Sequence, residues 1–173
     1  GIDEEHVINR INPKKDIDGI SFESVSGLFT GAHNGFPPCT AEAAVAILDH
    51  YGIDVAGKKV VVIGRSLVIG KPVAMMLLDR NATVTICHSK TKPEDLKALC
   101  KEADIIITAA GKIGTVTEEH VNGKQVIVDV GINFNEDGKM CGDADFEALE
   151  GKVAAITPVP GGVGPMTIAM LMN

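Results

Sequence analysis

Short apolar segments alternate with helical ones from residue 59 to the end of the chain, and this alternation constrains the fold most strongly. The spacing predicts strands over residues 59–63, 83–87, 104–109, 125–130 and 152–157. Helices are predicted over residues 72–80, 93–102 and 165–173, with a short helical turn over 117–121. Strands that alternate with helices are joined by right-handed crossovers. The sequence therefore predicts an α/β, Rossmann-like fold with a mostly parallel sheet and helices on both faces.

The first fifty residues follow a different pattern. Residues 3–11 have apolar side chains at helical spacing, and Asn12-Pro13 ends this predicted helix. Residues 14–38 show no sustained period and predict a long irregular segment, of the kind that often carries function. Thr40 is then expected to cap a helix that runs to His50.

Composition excludes several classes of protein. The chain has 173 residues, 45% of them hydrophobic, and a formal net charge of −7, which disfavours a general nucleic-acid binder. No apolar run reaches the roughly 18 residues of a membrane-spanning helix. The four cysteines lack the spacing of a zinc site and indicate reduced thiols in a cytoplasmic protein: Cys39, Cys87, Cys100 and Cys141. No metal is predicted.

A turn with two glycines joins the first predicted strand to the next helix. Gly64 permits a sharp turn, and Gly70 permits close packing of the helix on the strand. The helix N-terminus would then offer backbone N–H groups to a pyrophosphate. The motif departs from G-x-G-x-x-G, because Ser66 replaces the second glycine and the third comes one residue late. A dinucleotide site and a plain turn both stay open on this feature alone.

The end of the second predicted strand bears on which dinucleotide would bind. NAD sites carry a carboxylate there for the ribose 2′-OH. Here the segment after Cys87 is His-Ser-Lys-Thr-Lys, with no carboxylate, and Arg65 lies in the neighbouring turn. Hydroxyl and cationic groups suit the 2′-phosphate of NADP, which guanidinium binds in a bidentate way. The alternative is an ordinary polar loop with Arg65 in solvent.

Glycine follows three later strands as well. Residues 109–112 and 130–133 place small residues where a flat cofactor could approach the backbone, or they form simple turns. Residues 157–167 contain three prolines and three glycines, which predicts a rigid loop that could border the substrate or the nicotinamide. Pro165 is expected at the first position of the last helix.

Several stretches together resemble the bifunctional methylenetetrahydrofolate dehydrogenase/methenyltetrahydrofolate cyclohydrolase family. The most specific is Pro-Gly-Gly-Val-Gly-Pro-Met-Thr at residues 160–167. The others are Pro-Lys-Lys-Asp-Ile-Asp-Gly at 13–19, Pro-Cys-Thr at 38–40, Val-Ile-Gly-Arg-Ser at 62–66, Asn-Ala-Thr-Val-Thr-Ile-Cys-His-Ser at 81–89 and Asp-Val-Gly-Ile-Asn at 129–133. The resemblance covers the chain from Ile2 onward.

The resemblance implies two reactions of one-carbon metabolism, with a link to purine biosynthesis. One oxidises 5,10-methylenetetrahydrofolate to the 5,10-methenyl form with NADP, and the other hydrolyses the product to 10-formyltetrahydrofolate. It implies cofactor contacts at Gly64, Arg65, Ser66, Ser89 and Ile132. It implies folate contacts at Asp18, Pro160, Gly161, Gly164 and Thr167. From the residues alone, a turn residue before Gly19 is the favoured interpretation of Asp18.

The resemblance also implies two domains and a homodimer. Residues 1–39 would connect to an N-terminal catalytic domain, and residues 40–173 would form the NAD(P)-binding domain. The family's catalytic Tyr-x-x-x-Lys is not found here, because Tyr51 is followed four residues later by Val55. No catalytic residue is therefore assigned in this chain, and we expect it to bind NADP without turnover.

Three other interpretations stay open. A two-domain dehydrogenase of a shikimate or amino-acid type would explain the glycine turn but not residues 160–167. A catalytically inactive nucleotide-binding or dimerisation module would explain the missing lysine. A cysteine nucleophile, Cys39 or Cys87, would need a histidine–acid partner that the sequence does not indicate.

Overall fold

Seven strands and seven α-helices make up a computed structural model of the chain that describes residues 3–8, 10–32 and 34–172. The strands are β1 (Lys59–Ile63), β2 (Thr83–Cys87), β3 (Ile105–Thr108), β4 (Val126–Asp129), β5 (Asn133–Phe134), β6 (Met140–Cys141) and β7 (Ala155–Ile156). The helices are α1 (Glu4–Ile8), α2 (Phe22–Thr30), α3 (Cys39–His50), α4 (Gly70–Asp79), α5 (Pro93–Glu102), α6 (Phe146–Leu149) and α7 (Val163–Met172). Two short 3-10 turns cover Pro13–Lys15 and Glu118–His120.

Five strands form one parallel sheet in the order β2-β1-β3-β4-β7. The chain leaves β1 for the edge strand β2 and then crosses back to β3 on the other side. Strands β1 and β3 are adjacent, but the loops that follow them lead in opposite directions along the sheet. Ligands bind at such a switch point in open α/β sheets. The predicted fold class is confirmed.

Alternate residues of the central strands face two separate cores. Val60, Val62 and Ile107 point to the face covered by α3, α4 and α7. Val61 and Ile106 point to the opposite face, which α5 and α6 cover. Both faces of the sheet are buried, which accounts for the continuous apolar strands in the sequence. Within the described ranges, no helix has the length and apolar character needed to cross a membrane.

Three elements were not predicted. Helix α2 lies in the segment predicted to be irregular, and the β5–β6 hairpin and one-turn helix α6 lie between β4 and β7. The start of helix α2 is held by hydrogen bonds to a carboxylate outside the helix. Asp16 accepts from the hydroxyl of Ser24 (2.6 Å) and from the N–H of Ser21 (2.8 Å). Ser21 in turn caps the helix. Periodicity alone does not report such a bond.

Three predicted helix starts were two residues too late, and one of them is that of α4, which begins at Gly70 rather than at Pro72. Helix α3 begins at Cys39, with Pro38 rather than Thr40 at the cap position and no side-chain bond to the first turn. Helix α7 begins at Val163, so Pro165 is its third residue rather than its first. Proline is tolerated throughout a first turn, because those N–H groups have no partner within the helix. The first predicted helix is shorter than expected, and Asn9 and Asn173 lie outside the described residues.

Candidate functional site

Gly64 lies at the switch point between β1 and β3. Its φ is +142°, and its N–H donates to the Cys87 carbonyl oxygen of β2 (2.9 Å). A Cβ at this position would lie 2.5 Å from the carbonyl oxygen of Ala109 in the loop after β3. Both the backbone angle and the space therefore require glycine. The backbones after β1 and β3 are brought together at the point where a ligand would enter.

Helix α4 starts directly behind this turn. A Cβ on Gly70 would overlap the carbonyl oxygen of Gly64, so the helix packs as closely as predicted. The hydroxyl of Ser66 accepts from the N–H of Ile69 (3.1 Å) and more weakly from that of Gly70 (3.5 Å). The Ser66 hydroxyl therefore stabilises the turn by accepting hydrogen bonds from N–H groups at the start of α4, a role that the sequence did not predict.

A compact turn after β2 contains residues that were predicted to bind the 2′-phosphate of NADP. The His88 N–H donates to the Thr91 hydroxyl (3.0 Å), and the Lys90 N–H donates to His88 Nδ1 (3.2 Å). Ser89 and Lys90 are left exposed at its tip. Because Ile63 pairs with Cys87 in the ladder, Arg65 and Ser89 each lie two residues beyond a paired position. The structure brings the two predicted 2′-phosphate contacts to adjacent strand ends.

Ile132 lies on the other side of the switch point. It follows β4 and is 64% exposed. Strands β2 and β4 are separated by three strand spacings of about 4.8 Å, or about 14 Å in all. The five predicted cofactor residues therefore lie along one edge of the sheet, as two nucleotides joined by a pyrophosphate require.

The Pro/Gly loop follows the edge strand β7. Pro160 follows a cis peptide bond, and Gly161 has φ +101°. Pro160, Gly161 and Gly164 are exposed. Thr167 donates its hydroxyl to the Val163 carbonyl (3.2 Å) within α7, so this hydroxyl is already used as a donor. The four predicted folate contacts of this loop share the carboxyl end of β7 and the first turns of α7.

Asp18 belongs to a different segment of the chain from that loop. It is exposed in the turn before Gly19, whose φ is +62°. Burial raises the pKa of the Cys39 thiol, and the nearby Asp18 charge raises it further. The described residues show no hydrogen bond between Asp18 and residues 160–167. Asp18 as a folate contact stays a prediction.

Sequence reasoning missed two buried carboxylates beside this edge. Asp129 at the end of β4 accepts from the N–H groups of Gly131 (2.9 Å), Asp143 (3.1 Å) and Ala144 (2.8 Å). Burial raises the pKa of the Asp129 carboxyl, these bonds oppose the rise, and the charge of Asp143 adds to it. Asp143 is fully buried and holds the loop after β3. The only signal in the sequence was a nearby glycine, Gly142 directly before Asp143 and Gly131 two residues after Asp129.

The two cysteines considered as nucleophiles, Cys39 and Cys87, are both buried, and burial raises the pKa of both thiols. Burial also raises the pKa of Cys100 to about 12. Cys87 and Cys100 are fully buried, so neither forms the exposed thiolate that reacts. No group of three potential metal ligands occurs within residues 3–8, 10–32 and 34–172.

These features define a class of protein: an α/β domain that binds a dinucleotide across the carboxyl edge of its sheet. A family model described as tetrahydrofolate dehydrogenase/cyclohydrolase, NAD(P)-binding domain, matches residues 38–173. The chain belongs to this family.

Relatives named bifunctional protein FolD share about half of the sequence. The chain is 51% identical to that of Agathobacter rectalis over 172 residues and 53% identical to that of Methanosphaerula palustris over 173. The matches cover 99% and 100% of this chain but 61% and 60% of the relatives. The chain thus spans about three fifths of their length.

Solved structures agree with the fold. The bifunctional FolD enzyme of Campylobacter jejuni superposes with a TM-score of 0.94 at 46% identity, covering 98% of this chain and 59% of that one. The Trypanosoma brucei enzyme, solved with NADP and an inhibitor, gives 0.91 at 37% identity, covering 99% and 60%.

Proposed function

We propose that the chain binds NADP in preference to NAD. The observation that carries this is the end of β2, where Ser89 and Lys90 are exposed beside Arg65 and no carboxylate is present. The ion pairs of the described residues use other cations: Lys59, Arg80, Lys97 and Lys152. The Arg65 guanidinium thus remains available for a phosphate. The Trypanosoma brucei structure supports the choice, since that enzyme was solved in complex with NADP.

We also propose that the chain is the cofactor-binding part of an enzyme that acts on tetrahydrofolate derivatives. Its reactions would be oxidation of 5,10-methylenetetrahydrofolate and hydrolysis of the methenyl product to 10-formyltetrahydrofolate. NADP, when bound, supplies the hydride acceptor at its nicotinamide. The chain's own residues would bind and orient: residues 160–167 and Asp18 would hold the folate, and the site would favour transfer by proximity. The description of the family, and the name of the Campylobacter jejuni enzyme as a methylenetetrahydrofolate dehydrogenase/cyclohydrolase, support this.

The isolated chain is expected to lack turnover. Tyr51 is 73% exposed and has Val55 rather than a lysine four residues later. Proton transfer would then depend on a lysine contributed by the rest of a longer protein. A catalytically inactive nucleotide-binding module is the second candidate, and the same observation favours it.

One experiment separates these functions. The 173-residue chain is titrated with NADP and NAD by calorimetry, and oxidation of methylenetetrahydrofolate is assayed in the same samples. We expect NADP to bind more tightly and no oxidation to occur until the N-terminal part of a relative is added. Absence of NADP binding would overturn the cofactor proposal. No gain of activity on adding the N-terminal part would favour the inactive module.

The partners and the compartment are proposals as well. We propose a homodimer and an N-terminal catalytic domain as partners, supported by the relatives' greater length for the latter. The four cysteines are free thiols, three of them buried, which supports the cytoplasm. A formyl-group product would place the enzyme among those that feed purine biosynthesis. Sedimentation velocity of the chain tests the dimer directly.

A further inference from the structure

Asp143 is a fully buried carboxylate at the carboxyl edge of the sheet, and it accepts hydrogen bonds from five groups. The donors are the Thr108 hydroxyl (3.0 Å), the N–H groups of Ala110 (2.6 Å), Gly111 (3.2 Å) and Lys112 (2.8 Å), and the Asn133 amide (2.9 Å). Three of the five belong to the loop after β3, and one belongs to β5. A single side chain therefore fixes the two loops on the far side of the switch point.

A carboxylate is chemically suited to this place. A buried charge is tolerated when hydrogen bonds satisfy its lone pairs, and bonds to an ionised acceptor are about twice as strong as neutral ones. Three successive N–H groups would otherwise point into the protein without partners. The loop itself is exposed at Ala110, Gly111 and Lys112, so the anchor lies inside while the anchored residues face outward.

Two glycines allow the anchor to fit. A Cβ on Gly131 would overlap the Asp143 carboxylate, and a Cβ on Gly142 would overlap the Asp129 carboxylate. Asp129 in turn accepts from the N–H of Asp143 (3.1 Å). The Asp143 carboxylate thus packs against Gly131, and the Asp129 carboxylate packs against Gly142. These contacts hold the loops after β3 and β4 together.

The anchored loops lie where the second nucleotide would bind. The ends of β1 and β2 offer the groups suited to the pyrophosphate and the 2′-phosphate, so the adenine half lies on that side. The other half must then lie toward β3 and β4. We propose that Asp143 is a positioning residue, which holds residues 110–112 and 132 against the nicotinamide half of the dinucleotide. This rests on the proposed function.

The test compares two ligands in the same variant. Asp143→Asn keeps the side-chain shape but turns one acceptor into a donor that faces N–H groups. Calorimetry then measures NADP and adenosine 2′,5′-bisphosphate, which carries the adenine half and no nicotinamide. We expect NADP affinity to fall at least about tenfold, the equivalent of one lost bond to a charged group, and bisphosphate affinity to change less than about twofold. A defect in folding alone would weaken both ligands alike.

Asp145→Asn is the matched control. Asp145 is an exposed carboxylate two residues away that caps α6, so its variant makes the same charge change outside the network. It should bind both ligands as the unmodified chain does. If Asp143→Asn does not fold, Asn133→Ala removes one donor to Asp143 and is judged by the same criteria.

Unchanged NADP affinity, or equal loss for both ligands, would overturn the positioning role. If the unmodified chain bound the bisphosphate but not NADP, the nicotinamide half would have no site and the inference would fail. If it bound neither, the proposed cofactor site itself would be wrong.

Discussion

At the scale of a single residue, Arg65 is expected to distinguish NADP from NAD. Arg65 is exposed in the turn after β1, and Ser89 is exposed in the turn after the adjacent strand β2. In Arg65→Ala we expect NADP affinity to fall about 10- to 100-fold, as for loss of hydrogen bonds to a charged group, while NAD affinity changes less than about twofold. Calorimetry with both cofactors measures the difference.

Arg80→Ala provides the matched control for that substitution. Arg80 follows the other end of α4, where it pairs with Asp49 (2.6 Å), so its loss removes an arginine but no predicted cofactor contact. Both affinities should stay unchanged in this variant. An equal loss of NADP and NAD in Arg65→Ala would contradict a role in binding the 2′-phosphate.

At the scale of one element, the start of α4 depends on Gly70. A methyl group there would overlap the carbonyl oxygen of Gly64, and backbone cannot move aside as a flexible side chain can. Gly70→Ala is expected to lower the free energy of unfolding by about 1–3 kcal/mol, and to weaken NADP binding because the turn shifts. Urea unfolding measures the first effect.

Gly164→Ala is the control for that measurement. A Cβ on Gly164 would meet no atom within 4 Å, and the residue lies in the first turn of α7. Alanine loses less chain entropy than glycine on folding, so stability should stay equal or rise slightly. Similar destabilisation in both variants would show that the close approach at Gly70 is not the cause.

Helix α2 should respond to acid through Asp16. Burial raises the pKa of this carboxyl, but bonds from Ser21, Ser24 and Ile20 outweigh burial and leave it lowered. Because the pKa of Asp16 is lower in the folded than in the unfolded state, its carboxylate stabilises the folded protein at pH values above the unfolded pKa of about 3.9. This stabilisation is lost as the pH falls through the folded-state pKa. Urea unfolding between pH 6 and about pH 3 should therefore show a decline that Asp16→Asn lacks.

Asp18→Asn serves as the control for the acid effect. Asp18 is an exposed carboxylate in the same segment. Its variant should follow the curve of the unmodified chain. A decline that persisted in Asp16→Asn would place the acid-sensitive group elsewhere.

The predictable elements were those set by local pattern. Strands β1, β3 and β4 were evident because both faces of the sheet are buried there and nearly all of their residues are apolar. The glycine turn was evident because Gly64 needs an unusual backbone angle. The Asp143 network was not, since it depends on bonds between residues far apart in the chain, such as Ala110 with Asp143. Helix α2 was not either, since its start is held by the Asp16 carboxylate, which lies outside the helix and outside its apolar pattern.

At the scale of the whole molecule, large apolar side chains remain on the surface. Phe22 and Phe29 on α2 are 75% and 73% exposed, and Met172 at the end of α7 is 83% exposed. Exposed apolar patches mark interaction surfaces. The double variant Phe22→Ser/Phe29→Ser is expected to bind less of a hydrophobic dye and to associate less in sedimentation velocity.

The same double variant should leave the fold intact, because neither ring belongs to the two cores. Its urea midpoint is the control, and it should match that of the unmodified chain. Unchanged dye binding with an unchanged midpoint would show that α2 is not the surface responsible.

The interlock of Asp129, Asp143, Gly131 and Gly142 also limits how this domain can diverge. Any larger residue at either glycine displaces a carboxylate, and loss of either carboxylate leaves backbone N–H groups without acceptors. We expect every single substitution at these four positions to give a less stable protein. They therefore form one epistatic unit, which can drift only by concerted replacement.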